Sequence, residues 1–215
     1  MIANFGSLRS PGAGAGANLI IDGSGVIYGT TATDIFPTCT YSSLSQGCGT
    51  VFSLTPPMQP GGAWTMSNFR FRSQLAGAFV SGSVVLAPNG KLYGATKNGG
   101  TGRCTDSTAE NVGCGIIFEL TPPALNGGVW KETQIYSFTG TNKRGDGAFP
   151  NGGLVTDSAG NLYGTTGNGC RADSIGGQSN TQSCVVFELR QASGGWVETT
   201  LHTFTGGSDG FWPQA

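Results

Sequence analysis

Six cysteines are the residues best equipped for chemistry in this 215-residue chain. They fall in three pairs: Cys39 with Cys48, Cys104 with Cys114, and Cys170 with Cys184. Eight, nine and thirteen residues lie between the members of each pair. Zinc motifs usually hold two ligands about two to four residues apart, and the chain has a single histidine, His202. The spacing therefore favours three local disulfides over a metal centre, and no metal is expected. Each bridge would close a loop of order ten residues and contribute roughly 2–3 kcal/mol through the unfolded state. Disulfides place the protein in an oxidising compartment: extracellular, cell-surface or periplasmic.

The remaining chemistry is thin. His202 sits on a strand-like stretch, aligned with Phe69 and Tyr136 of two other repeats. A catalytic histidine needs a nucleophile or carboxylate within hydrogen-bond reach, and no triad pattern is evident, so no catalytic residue is assigned. The glycine-rich stretches lack the Gly-Lys-Ser/Thr ending of a phosphate loop, and no helix pattern follows them. Carboxylates are few. Asp22 and Asp157 fall in short turns, where aspartate caps its own backbone. Asp146 and Asp209 recur in Gly-Asp-Gly-like loops, without the spacing of a calcium loop. No cofactor is expected.

The elements that must position these residues come from an internal repeat. Tyr28, Tyr93 and Tyr163 occupy one position, Phe52, Phe118 and Phe187 a second, and Trp64, Trp130 and Trp196 a third. Each unit offers four short strands, A to D, rich in β-branched and aromatic residues. In the third unit these are Leu154–Thr156, Asn161–Thr166, Val185–Leu189 and Trp196–Phe204. The A–B turns (Asp22-Gly23-Ser24-Gly25, Asn89-Gly90, Asp157-Ser158-Ala159-Gly160-Asn161) carry hairpin chemistry. Thr55-Pro56-Pro57 and Thr121-Pro122-Pro123 end strand C, because proline cannot donate to a ladder.

Glycine is abundant, with 38 residues, while charged residues make up only 11% of the chain and the formal net charge is −1. That balance gives no reason to expect nucleic acid or an anionic membrane as partner. No apolar run reaches the length of a membrane span. The expected fold is all-β: a β-propeller-like array of three four-stranded antiparallel blades, with a β-trefoil as the alternative. Residues 1–215 form one repeat region with units at about 8–73, 74–140 and 141–206, and partial units at both ends. Phe5-Gly6-Ser7 matches the ends of the later strands D, and Asp209 to Gln214 matches Asp146 to Asn151. The array is therefore expected to be part of a larger propeller, or to self-associate through its end blades.

In an antiparallel blade the B–C and D–A connections emerge together. One end should thus carry the cysteine loops with Lys143, Arg144, Asp146, Phe149, Asp209, Phe211 and Trp212. Long loops on a rigid scaffold are where binding concentrates. Exposed aromatics among polar groups suit a glycan or a protein surface, and Arg144, Asp146, Phe149, Asp209, Phe211 and Trp212 are the candidate ligand residues. The competing reading is that the three aromatics plug gaps between blades and the two aspartates only order their loops.

Taken together, Gly153-Leu154-Val155-Thr156-Asp157, Gly160-Asn161-Leu162-Tyr163-Gly164-Thr165-Thr166, Gly49-Thr50-Val51-Phe52-Ser53-Leu54-Thr55-Pro56-Pro57 and Leu201-His202-Thr203-Phe204 resemble the GloVer tandem repeat, named for Gloeobacter and Verrucomicrobia. The resemblance covers nearly the whole chain. It implies a propeller-like array, export and a bacterial secreted or surface protein, often with a sorting anchor elsewhere. It implies no defined activity and no catalytic residues. The expected role is a non-enzymatic binding or adhesion module. A purely structural display array and a secreted polysaccharide-active enzyme are the alternatives.

Overall fold

The computed structural model describes residues 18–34, 39–41, 44–73, 75–105, 111–123, 128–140, 145–167, 184–205, 208–210 and 213. Among these there is no helix, and the strands form three four-stranded antiparallel sheets plus one hairpin. Sheet one has the order β1 (Ile20–Ile21), β2 (Ile27–Thr31), β5 (Thr50–Thr55), β6 (Thr65–Arg70). Sheet two runs β7 (Ala78–Leu86), β8 (Leu92–Asn98), β9 (Ile116–Thr121), β10 (Lys131–Ser137). Sheet three runs β11 (Val155–Thr156), β12 (Leu162–Thr165), β13 (Cys184–Ala192), β14 (Gly195–Phe204). The four strands expected per unit are thus present, in A-B-C-D order, three times. The extra hairpin, β3 (Cys39–Tyr41) with β4 (Leu44–Gln46), lies inside the first cysteine loop.

The repeated Tyr-Gly in strand B has a direct physical cause. Gly29, Gly94 and Gly164 stand opposite Phe52, Phe118 and Phe187 of strand C. A Cβ on these glycines would lie 2.4, 2.4 and 2.7 Å from the ring tip. Each glycine is therefore a seat for one phenylalanine ring, and all three rings are fully buried. Burying such a ring contributes roughly 1.5–3 kcal/mol. Proline acts as expected: β5 and β9 stop at the threonine before Pro56 and Pro122, whereas β13, which has no proline there, runs on to Ala192 and turns at Ser193-Gly194.

The sheets pack face to face through one recurring set of contacts. Phe71, just past β6, meets Phe118 at 4.9 Å between ring centroids, and Phe138, just past β10, meets Phe187 at 5.2 Å. The strand-D tryptophans reach back to the preceding sheet: Trp130 Nε1 donates to Ser67 Oγ at 2.8 Å, and the Trp196 ring stands 5.7 Å from that of Tyr93. The inner strand β7 ties all three units together. Its pairing with β8 breaks between Ser81 and Val85. There Thr30 Oγ1 donates to Gly82 O and Ser81 Oγ donates to Pro150 O, both at 2.8 Å. Gly82 has φ +70, and a Cβ on it would lie 2.1 Å from the Gly152 carbonyl carbon, so only glycine fits this junction.

Strand D is not identical in the three units. Seven positions separate Trp64 from Phe71, but eight separate Trp130 from Phe138 and Trp196 from Phe204. The extra residue is absorbed as a bulge: β10 skips Ile135 between Gln134 and Tyr136, and β14 skips Leu201 between Thr200 and His202, while β6 pairs without a break.

Candidate functional site

The cysteine loops and the D–A loops do share one end. The Phe149 amide donates to Cys114 O at 2.7 Å and the Phe79 amide to Cys48 O at 2.9 Å. Cys39–Cys48 and Cys104–Cys114 are disulfides, with Cα separations of 5.3 and 5.0 Å. Cys184 is also disulfide-bonded, while Cys170, its expected partner, lies outside the described residues. Gly102 and Gly140 press against the Cys104–Cys114 sulfurs so closely that a Cβ on either would stand within 2.5 Å of one.

Asp146 is only 6% exposed. It accepts from Tyr136 Oη (2.8 Å), Thr139 N (2.8 Å), Thr139 Oγ1 (2.9 Å) and Gly140 N (3.1 Å). This carboxylate folds the loop after β10 back on itself. Burial, together with the hydrogen bond to Asp146, pushes the Tyr136 hydroxyl far above the ordinary tyrosine range. The same clamp recurs after β14. Asp209 accepts from Thr205 N at 2.9 Å and Thr205 Oγ1 at 2.7 Å, and His202 Nε2 lies 3.4 Å away, in the place that Tyr136 holds in the preceding unit. His202 thus serves a loop clamp. Ser208 beside it belongs to a Gly-x-Ser-x-Gly string at 206–210. A nucleophile elbow needs a strand–turn–helix, and no helix exists among the described residues.

Phe149 is 5% exposed and sits at φ 55; Phe79, its counterpart one unit earlier, sits at φ 57. Left-handed backbone is costly for an aromatic residue. Here it accompanies the amide bonds to Cys114 O and Cys48 O. Of the six candidate ligand residues, then, Asp146 and Phe149 are buried and Asp209 is held in a clamp. Arg144, Phe211 and Trp212 lie outside the described residues, as does Lys143. Among the described residues, the side chains presented around the second cysteine loop include Thr101, Arg103, Thr105 and Asn111, all exposed. The described flanks of this loop are joined by the disulfide, by Val112 N donating to Cys104 O (2.9 Å), and by a Thr105–Asn111 bridge. Sequence reading passed over them because nothing in a Thr-Gly-Arg-Cys-Thr string signals a site.

The opposite end holds a second arrangement. The A–B turns of all three units line one open cleft of about 480 Å³, bounded by Asp22, Ser24, Tyr28, Leu86, Pro88 and Asp157 among others. Both aspartates are occupied by their own turns. Asp22 Oδ1 accepts from Ser24 N and Val26 N, and Asp157 Oδ1 from Ala159 N and Asn161 N. Each also accepts a tyrosine hydroxyl, Tyr28 at 3.1 Å and Tyr163 at 3.0 Å. Burial and the Asp22 carboxylate push the Tyr28 hydroxyl up to about 12. At Asp157 desolvation acts upward, but the Asn161, Tyr163 and Ala159 hydrogen bonds outweigh it and hold the carboxyl below its usual range.

Two carboxylates sit at the sheet junctions, at equivalent strand-D positions: Glu132 and Glu198. Burial raises both above the usual glutamate range. Among the described residues no group of three or more His, Cys, Asp or Glu side chains is placed to hold a metal, and no helix is long and apolar enough to cross a membrane. No family model, no curated protein and no solved structure matches the chain.

Proposed function

We propose that this protein is an exported, non-enzymatic binding module: a propeller-type array of GloVer-like repeats that presents its cysteine loops to a glycan or a protein surface. One observation carries the reading. The scaffold repeats three times, while the B–C connections at one end (32–49, 99–115 and 166–183) are long and differ in sequence. The A–B turns at the other end (22–26, 87–91 and 157–161) are five residues each and built alike. Constant sheets with diversified, disulfide-pinned loops suit recognition, because a cross-linked loop has less conformational freedom to lose when a ligand arrives. The disulfides also fit an oxidising, non-cytoplasmic location.

The loop-end surface to test is Thr101, Arg103, Thr105 and Asn111. The protein is screened against immobilised glycans and cell-surface extracts, then compared with Arg103→Glu and Thr105→Ala. Binding that falls at least tenfold in these variants, and stays unchanged in Ser24→Ala at the other end, supports the module. Binding indifferent to the loop variants, or no binding at all, overturns it. The second reading, a purely structural display array, is favoured by the burial of Asp146 and Phe149, which spend the two described candidates on loop architecture.

A further inference from the structure

At both internal junctions a phenylalanine just past strand D covers the strand-C phenylalanine of the next sheet: Phe71 covers Phe118, and Phe138 covers Phe187. From that phenylalanine the chain runs 13 or 16 positions to the matching strand-A residue of the next sheet, Val84 or Leu154. Both covered rings are 0% exposed. Phe52, the strand-C phenylalanine of sheet one, is 1% exposed, although no sheet precedes sheet one among the described residues. Leu19 shares the face over Gly29 with Phe52. It is 60% exposed, whereas its counterparts Val84 and Leu154 are 2% and 7% exposed. The ring of Phe52 is thus sealed without a whole sheet stacked on it.

We propose that residues 5–17 of this chain act as a third such connection and seat Phe5 on Phe52. The repeat register carries the assignment. Phe5 stands 14 positions before Leu19, between the spacings of the two internal connections. A Gly-Ala pair lies seven positions before the strand-A residue in all three units: Gly12-Ala13 before Leu19, Gly77-Ala78 before Val84, and Gly147-Ala148 before Leu154. Gly77 and Gly147 take positive φ, 104 and 82, and Ala78 and Ala148 are fully buried. The next residue, Phe79 or Phe149, is left-handed. The N-terminal copy has Gly14 there, a residue for which such a backbone carries no steric penalty. The segment therefore repeats the residue types at the positions where the connection constrains them. A seated Phe5 supplies the strand-D end of a preceding sheet without its strands, which accounts for a sealed Phe52 beside an exposed Leu19. It also occupies the ring site through which sheet one would otherwise take a second copy. The proposal rests on the observed sheet stacking and is independent of ligand binding at the loop end.

Nuclear Overhauser spectra of the full chain, with isotope-labelled phenylalanine, test it. Cross-peaks between the ring protons of Phe5 and Phe52 are expected. The Phe5→Ala variant should melt at least about 5 °C below the parent, and Phe5→Leu should recover most of that shift. Should Phe5→Ala fail to fold, the cross-peaks of the parent and the smaller shift of Phe5→Leu decide. An equal mixture of labelled and unlabelled chains, read through an isotope filter, identifies the copy that supplies the ring. Cross-peaks confined to one chain support the proposal, whereas cross-peaks between labelled and unlabelled chains mean that a second copy supplies Phe5 and overturn it. A Phe5→Ala variant that melts with the parent overturns it too, as does a Phe5 ring with no cross-peak to Phe52.

Discussion

Replacing Asp146 by alanine separates a structural carboxylate from a ligand-binding one, and the magnitude follows from its four contacts. The side chain is almost fully buried and accepts from two backbone amides and two hydroxyls. Hydrogen bonds to a charged group contribute roughly 1.5–3 kcal/mol each, but bonds that share one acceptor do not add. The two hydroxyls can rotate toward other partners, whereas the Thr139 and Gly140 amides cannot. Counting mainly the amides gives a loss of about 3–5 kcal/mol for Asp146→Ala. With a urea slope of about 2 kcal/mol/M, the unfolding midpoint should fall by roughly 2 M. Asp209→Ala removes the equivalent clamp at a more exposed site, with its two bonds to Thr205 open to water. Its cost should be about 1 kcal/mol, close to that of an ordinary exposed interaction. Urea titrations of the two variants, followed by tryptophan fluorescence, measure both. Equal losses would refute the claim that burial sets the worth of the clamp. An Asp146→Ala protein as stable as the parent would refute the clamp itself.

Three further outcomes are expected. Replacing Cys104 and Cys114 together by serine releases a loop of sequence separation 10; the loss should be about 2–3 kcal/mol, seen calorimetrically as a fall of roughly 5–10 °C in Tm. Glu198 has its pKa raised by burial, so the folded state holds the proton more tightly than the unfolded chain. Its contribution to stability therefore declines as pH rises from the unfolded value of 4.5 through the folded one. Glu198→Gln should be more stable than the parent at pH 7 and equal to it near pH 4, read from melting curves across that window. Gly82→Ala places a methyl group against the Gly152 backbone at a left-handed residue; it should cost about 2–4 kcal/mol and, by limited proteolysis, open the junction between sheets two and three first.

The sheets were legible in the sequence because their causes are local. Strand period, turn chemistry at Asp22 and Asp157, and the proline stops after Thr55 and Thr121 act within a few residues, and recurrence in two or three units reinforces each signal. The bulges were also written there, in the different spacing of Trp64 to Phe71 and Trp130 to Phe138, but a single inserted residue looks like an alignment shift until the ladder is seen. The loop end was harder to read. An aspartate in a Gly-Asp-Gly loop looks the same whether it faces water or Tyr136, and only the fold brings the Tyr136 hydroxyl and the Thr139 and Gly140 amides around Asp146. Phe149 looked like a binding aromatic because its type is common in sugar sites; its burial is set by its neighbours, the most distant signal in the chain. The β3–β4 hairpin escaped because Cys39–Gln46 lacks the apolar alternation that marks the other strands.

The disulfides have a consequence for a chain that is pulled from its two ends. An extended residue spans roughly 3.3–3.6 Å. Cys39–Cys48 and Cys104–Cys114 join residues separated by 9 and 10 positions, so each removes about 30 Å from the length that tension can draw out. The force then passes from strand B to strand C across the sulfur bridge, bypassing the loop. A sheet whose ladder has begun to part still keeps its cysteine loop at full compactness. Under load the loops would be the last parts of the molecule to lose their shape, and under reducing conditions they would be the first.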